Sequence, residues 1–426
     1  MKNNLLHACA RLSAGSLVLF LFGGCFKDKV TMTYKILTPV YATQTAVMGN
    51  IKGNPAQPFD SVGKIAMLGN YVFVNEVYKG IHVIDNSNPG HPAQIAFLNI
   101  PGNVDMAIRG NMLYADMYSS LLSIDITDPR SPKVTSILSN LFRTYNATGG
   151  YLIYDNSGNL TNNTRIITGW VMKDTTVPVG SSIYYNGGGP MYYDLAGSVA
   201  QASAASSTGT VGSMSKMAIL NNYLYTIDEA HEAGALSLAD PKTPAATRIS
   251  LSGFDLETIF PFGNKLFLGS KEGVFIYDVS DPSKPQQQGT FSHGSACDPV
   301  ISDGDYAYVT LHSGTYCGGA SNELDVVNVQ NLNVPILVST YPMTRPQGLT
   351  KDGNLLFVCD DQSGGVKLFN ATDPKKLQLL GTIGQMSAYD VISDNHHLMV
   401  VAADGLYQYD YSDPQHVQPL STLTLK

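Results

Sequence analysis

The chain has 426 residues, a formal net charge of −8, 14% charged residues and 24 tyrosines. An acidic balance without a basic patch among aromatic platforms excludes nucleic-acid binding as the main activity. At 44% apolar residues the length supports one large core.

The N-terminus carries Lys2 and Arg11, then the apolar run Leu12 to Phe22, then Gly23-Gly24-Cys25. This run is too short to span a bilayer and has the build of a secretory signal. Small residues directly before a cysteine resemble a bacterial lipobox, with Phe22 in place of the usual aliphatic residue. The expectation is that residues 1–24 are removed and Cys25 is acylated, anchoring the chain to a lipid bilayer. Residues 25–61 then read as a tether and lead-in strand, and 62–426 as the folded domain.

From Gly69 onward one pattern recurs. Copies begin near residues 69, 110, 221, 263, 304, 353 and 395, spaced by 41, 111, 42, 41, 49 and 42. Each holds short alternating apolar runs rich in β-branched and aromatic residues, which favours strands over helix. A Gly-Asn pair suits the hairpin between the first two strands. A recurring Asp-Pro (Asp128-Pro129, Asp240-Pro241, Asp281-Pro282, Asp373-Pro374, Asp413-Pro414) sets a turn before the fourth. A period near forty of this composition predicts a radial array. The fold class expected is all-β, a seven-bladed β-propeller of four-stranded antiparallel blades.

The 111-residue spacing places one long insertion, about residues 143–214, between blades 2 and 3. Arg165 to Val171 (RIITGWV) reads as a strand. The stretch Asn186 to Ser215 is rich in Gly, Ser and Ala and supplies little core, so the insertion is expected to lie outside the ring.

In a propeller the loops joining strands two and three share a face with the starts of the first strands. Those loops carry Glu76, Asp116, Asp228, Glu229, Glu232, Glu272, Asp360, Asp361 and Asp404, and first strands open with Asp105, Glu257, Asp298 and Asp390. Converging carboxylates suit a hard cation such as Ca²⁺ or sugar hydroxyls; a solvated acidic rim is the plain structural alternative. Like charges at one mouth call for a cation, and Arg109 and Arg345 are the nearby side-chain candidates. Cys297 and Cys317 fall in two loops of one blade and, in an oxidising compartment, read as a disulfide; His293 and His312 nearby leave a zinc reading open. Cys359 on a second strand reads as a buried thiol. No HExxH, GxSxG, P-loop or dinucleotide fingerprint is present in the sequence.

Aligned, the runs GIHVIDNSNP, LLSIDITDP and GVFIYDVSDP resemble the LVIVD-repeat family, and PGNVDMAIRGNMLYAD, CDPVISDGDYAYVTL and DGLYQYDYSDP resemble its Bacteroidetes lipoprotein branch. The resemblance covers about Val62 to the C-terminus apart from the insertion. Asn328, Asn370 and the short ALSLADP depart from its pattern. It implies a propeller at the cell envelope, on the outer membrane, and no particular active site. The function expected is that of a non-enzymatic binding module for a glycan, peptide or envelope protein, working through the acidic loop face. A carbohydrate-active lyase or hydrolase, or a structural scaffold, are the alternatives. The binding candidates are Glu76, Asp105, Glu229, Glu257, Asp298, Arg345 and Asp390.

Overall fold

Seven tight hairpins set the inner edge of the molecule. Gly69, Gly110, Gly263 and Gly353 take φ between 52° and 59° at the first turn residue. Where glycine is missing, both residues turn left-handed: Asn221 and Asn222 at 49° and 66°, Asn395 and His396 at 47° and 64°. Short polar side chains tolerate that region best among non-glycine residues, and the turn matches the strand twist.

The computed structural model describes residues 31–139, 141–142, 165–178, 200–201, 210–227, 233–251, 256–293, 299–313, 321–362 and 364–425. Seven antiparallel blades follow one another, each with four blade strands from one continuous stretch of chain. Their first, innermost strands are Ile65–Leu68, Met106–Arg109, Met217–Leu220, Leu256–Phe262, Val300–Ser302, Pro346–Asp352 and Ala388–Asp394. Their outermost strands run from Ala93–Asn99 in blade 1 to Gln418–Thr424 in blade 7. The seven-bladed expectation holds.

The turn between third and fourth strands is built from two successive side-chain caps. Asp85, Asp125, Ser237, Asp278, Asn328, Asn370 and Asp410 each accept the amide two residues on, at 2.7–3.3 Å. Three residues later Asn88, Asp128, Asp240, Asp281, Asn331, Asp373 and Asp413 repeat the bond at 3.0–3.2 Å. The task needs a short side chain with an acceptor oxygen, which Asn and Ser also supply. The departures at Asn328, Asn370 and the ALSLADP blade therefore leave the turn intact.

Because each blade is continuous, no strand among the described residues crosses from blade 7 to blade 1. That seam is closed by packing of Phe59, Ile65, Val74 and Ile84 against Ile392, Met399, Val401 and Leu406. Asn86 and Gln408 add a reciprocal amide pair across it at 3.0 and 2.8 Å, both side chains buried.

Ahead of blade 1, the described lead-in contains a helix as well as strand. Gln44–Asn50 is helical, with Thr43 Oγ1 capping Ala46 N at 3.3 Å. Val47 and Ile51 join the core shared with Ile137 and Val134 of blade 2. Seven residues make only two turns, too short for the apolar period to register in the sequence. Gly53–Asn54 then pairs with Leu98 and Phe97 on the outer strand of blade 1.

The chain divides into two compact units, the smaller including, among the described residues, 31–38 and 171–178. Within it Thr33 and Thr176 hydroxyls lie 2.9 Å apart. The strand expected at RIITGWV is present as Arg165–Pro178, paired with Thr31–Thr43 in a two-stranded sheet. The larger unit holds the propeller. Here the insertion departs from expectation: its last part, Thr210–Ser213, pairs antiparallel with the innermost strand of blade 1, Thr210 opposite Met67 and Val211 opposite Ala66. That edge faces the central channel. Ala200–Gln201 pairs in turn with Ser213 and Gly212. Position 212 in this part needs a small residue, since a Cβ on Gly212 would stand 1.9 Å from Asp390 Oδ2.

Candidate functional site at the channel mouth

First strands begin and second strands end at the same end of the ring, since neighbouring strands alternate in direction. Counting back six residues from the second residue of each inner hairpin (70, 111, 222, 264, 305, 354, 396) gives Lys64, Asp105, Lys216, Thr258, Pro299, Gly348 and Asp390. The backbone confirms their equivalence. The carbonyls of Lys64, Asp105, Lys216 and Pro299 each accept the amide eleven residues on, from Asn75, Asp116, Ile227 and Thr310, at 2.7, 3.4, 2.7 and 3.1 Å. The first strands of blades 4, 6 and 7 carry bulges just here, between Leu256 and Thr258, Pro346 and Leu349, and Ala388 and Asp390. Bulges re-aim the side chains beside them.

This register corrects the expected ring of like charges. The mouth position holds two lysines and two aspartates, not four carboxylates. Glu257 stands one residue earlier, partly buried, on a strand where successive side chains alternate faces. Lys64, not Arg109 or Arg345, is the cation at Asp105: Nζ lies 3.4 Å from Oδ2, with both side chains more than nine-tenths buried. Burial is the main influence lowering the Lys64 pKa, opposed chiefly by Asp105.

Residues Gly212–Lys216 lie across this mouth, held almost entirely through backbone and serine hydroxyls. Lys64 Nζ donates to Met214 O at 2.7 Å. Ser215 Oγ donates to the Asp105 carboxylate, 2.9 Å from either oxygen, and the Lys216 amide donates to the same group. Ser215 O accepts Ile259 N of blade 4 at 3.0 Å, and Ser213 Oγ accepts Leu349 N of blade 6 at 2.6 Å. On the far side the Asp390 carboxylate sits against Gly212; a Cβ there would stand 1.9 Å from Oδ2. Neither Asp390 oxygen makes a hydrogen bond, and the residue is fully buried. The amides of Val391 and Ser213 approach without reaching hydrogen-bond geometry. Together with Lys64 they offset only part of the burial, which drives the Asp390 pKa well above the usual carboxylate range.

The other candidates do not converge on this centre. Glu76 ends the second strand of blade 1 and is buried, with Oε2 2.8 Å from His82 Nε2. Lys79 links its Oε1 to Asp60, 2.7 Å away, at the surface. His82 is wedged between Phe59 and Phe97, ring centroids 4.2 and 4.6 Å distant, and burial lowers its pKa. Arg345 pairs with Asp361 at 2.7 Å, while Asp360 accepts the amides of Thr344 and Arg345. Asp116 does likewise for Val104 and Asp105, both at 2.8 Å. Arg109 ends its strand at the opposite mouth and donates to Asn222. Cys359 is fully buried, its thiol pushed up by burial and then by Asp390.

Cys25, Cys297, Cys317, Asp228, Glu229, Glu232 and Asp298 lie outside the described residues. Among the described residues no three His, Cys, Asp or Glu side chains are placed to hold a metal ion. No described helix is long and apolar enough to cross a membrane. The residues that sequence reasoning missed are Lys64, Gly212, Ser213, Ser215 and Lys216. Lys64 and Lys216 were available from the six-residue count; the serines carried no signal outside the folded channel.

Comparison with known proteins adds the fold and a repeat family. No curated protein matches the chain in sequence. A crystal structure of a protein from Lactobacillus plantarum superposes at TM-score 0.53, 12% identity, covering 85% of this chain and 96% of that one. The Pseudomonas aeruginosa periplasmic gluconolactonase superposes at 0.51, 13% identity, covering 86% and 97%. Dihydro-haem d1 dehydrogenase NirN superposes at 0.51, 11% identity, covering 97% and 84%. At such identities the likeness concerns the fold alone. The LVIVD repeat matches residues 61–97 and 262–292, in blades 1 and 4, so the chain is a seven-bladed propeller that carries LVIVD repeats.

Proposed function

We propose that this chain is an envelope-anchored, non-enzymatic binding module, attached to the bilayer through acylated Cys25 and engaging a glycan, peptide or partner protein with the loops around the channel mouth. One observation carries the reading: the mouth is crossed by the chain's own residues 212–216, and Asp105, Lys64 and the facing amides are engaged in holding them. Catalysis in a propeller needs two or three polar groups converging on an open cleft. Here Lys64, Asp105 and Ser215 are engaged with one another and with the segment, and Asp390 is enclosed by Gly212 and Gly348. Contact with a ligand then falls to the surrounding acidic loops, with the partly exposed Glu257 and Arg345 as candidate contacts, in keeping with the net charge of −8.

The test pairs binding with turnover. Purified protein is titrated by calorimetry against panels of neutral and basic oligosaccharides and of envelope-derived peptides, and each binder is recovered and analysed by mass spectrometry. Saturable binding with intact recovery, weakened by Glu257→Gln, is the expected result. Cleavage or elimination of a bound glycan overturns the non-enzymatic reading, and absence of binding across both panels overturns the ligand classes. Cys25→Ser is expected to move the protein from the membrane to the soluble fraction.

A further inference from the structure

Among the described residues at the mouth, Asp390 is a carboxylate that holds no neighbour by a hydrogen bond. Its carboxylate is fully buried, neither oxygen is hydrogen-bonded, and it is enclosed by Gly212 of the channel segment and Gly348 of blade 6. A carboxylate taken from water without a donor is too costly to keep its charge, so it stays protonated. Water reaches it only when Gly212 withdraws. Protonation and docking of the segment are therefore one linked equilibrium.

We infer that Asp390 is a latch whose proton keeps the channel segment Thr210–Ser213 docked, so that rising pH releases the segment and opens the mouth. The hold at that end is slight enough to be switched. The segment pairs with blade 1 through Thr210 and Val211 and adds one hydrogen bond to blade 6, from Leu349 N to Ser213 Oγ, besides its pairing with Ala200–Gln201, whereas residues 214–216 are fixed by the charged groups of Lys64 and Asp105.

The charged and titratable surroundings of Asp390 are Lys64 ahead of blade 1, with Asp105 of blade 2 and Lys216 acting on that lysine. From blade 6 come Cys359 and, beyond it, Asp360 and Asp361. Cys359 is held as the thiol. Lys64 works in the opposite sense: burial lowers its pKa, so its titration at alkaline pH favours the docked form. Lys64 thus opposes the latch as pH rises, and the Asp390 variants separate the two contributions. The docked form binds the proton and the released form, with an ordinary carboxyl, loses it. One linked proton raises the opening constant by at most roughly tenfold per pH unit.

Hydrogen exchange on the full-length protein tests this, with each amide's rate divided by its intrinsic rate at the same pH. Protection of residues 210–213 is expected to fall by about tenfold or more from pH 5 to pH 7, with about 100-fold as the limit for one proton. Amides of Gln418–Thr424 serve as the internal reference for global stability. In Asp390→Asn, and in the similarly sized Asp390→Leu, protection is expected to be the same at both pH values. A flat profile in the unaltered protein, an equal fall in either variant that retains the reference protection, or no protection of 210–213 at either pH overturns the latch. The result is independent of what the loops bind.

Discussion

Replacing Asp105 by alanine isolates what the mouth contributes to stability. The side chain is 4% exposed and faces Lys64, 6% exposed, at 3.4 Å. Its loss leaves the Lys64 ammonium buried with Met214 O as its hydrogen-bond partner, and takes the acceptor from Ser215 Oγ, Met106 N and Lys216 N. Breaking a buried ion pair from one side costs about 3–5 kcal/mol, because the remaining charge is uncompensated. The serine and amide donors retain some access to water through relaxation, so about 4 kcal/mol is the expected total. Removing both charges, in Lys64→Met with Asp105→Asn, takes away the unpaired ammonium and is expected to cost about 2 kcal/mol or less. Urea unfolding at pH 7, followed by tyrosine and tryptophan fluorescence, measures both changes provided the slope of the transition is unchanged. A single-variant loss below about 1 kcal/mol, or a double variant no better than the sum of its singles, refutes the argument that this pair is structural.

Other consequences follow from particular contacts. Gly212→Val places a side chain where even a Cβ would stand 1.9 Å from Asp390 Oδ2, and is expected to cost about 1–3 kcal/mol in the same assay; a neutral effect would mean the channel segment shifts freely. His82 is buried and its pKa lies below the usual 6.5, so the unfolded chain binds the proton more readily. Stability is therefore full above about pH 6.5 and declines as pH falls toward the folded-state value, by up to about 1.4 kcal/mol per pH unit. His82→Phe should flatten that decline between pH 7 and 5, and an unchanged profile would assign it to other groups. Cys297 and Cys317 are expected to appear as one linked peptide in non-reduced digests; free thiols at both reject the pairing.

Most of the fold was legible because its rules are local. A Gly-Asn hairpin, alternating strands and a double-capped Asp turn each lie within a few residues, and seven copies forced the ring, since a single blade leaves both faces uncovered. Even the departures were harmless for a local reason: Asn328 and Asn370 keep the acceptor oxygen that the turn uses. The Gln44–Asn50 helix escaped notice because two turns carry too little periodicity, and it is held by Val47 and Ile51 packing on blade 2.

The candidate site was legible by position but not by partner. Chain order places Asp105 and Asp390 at starts of first strands, so their presence at one mouth follows from the repeat. Glu257 and Asp298 were grouped with them as further openings of first strands, while the register one residue later gives Thr258 and Pro299 instead. What the amino-acid sequence determined by itself is the blade, the count and the end of the ring on which the acids gather, because each depends on contacts between near neighbours in the chain. Only the tertiary structure decided that Gly212–Lys216 would cross the channel, that Asp105 would meet Lys64 across 41 residues and Ser215 across 110, and that Asp390 would be left without a donor. Those outcomes depend on burial and on closure of the ring, and neither exists until all seven blades are in place.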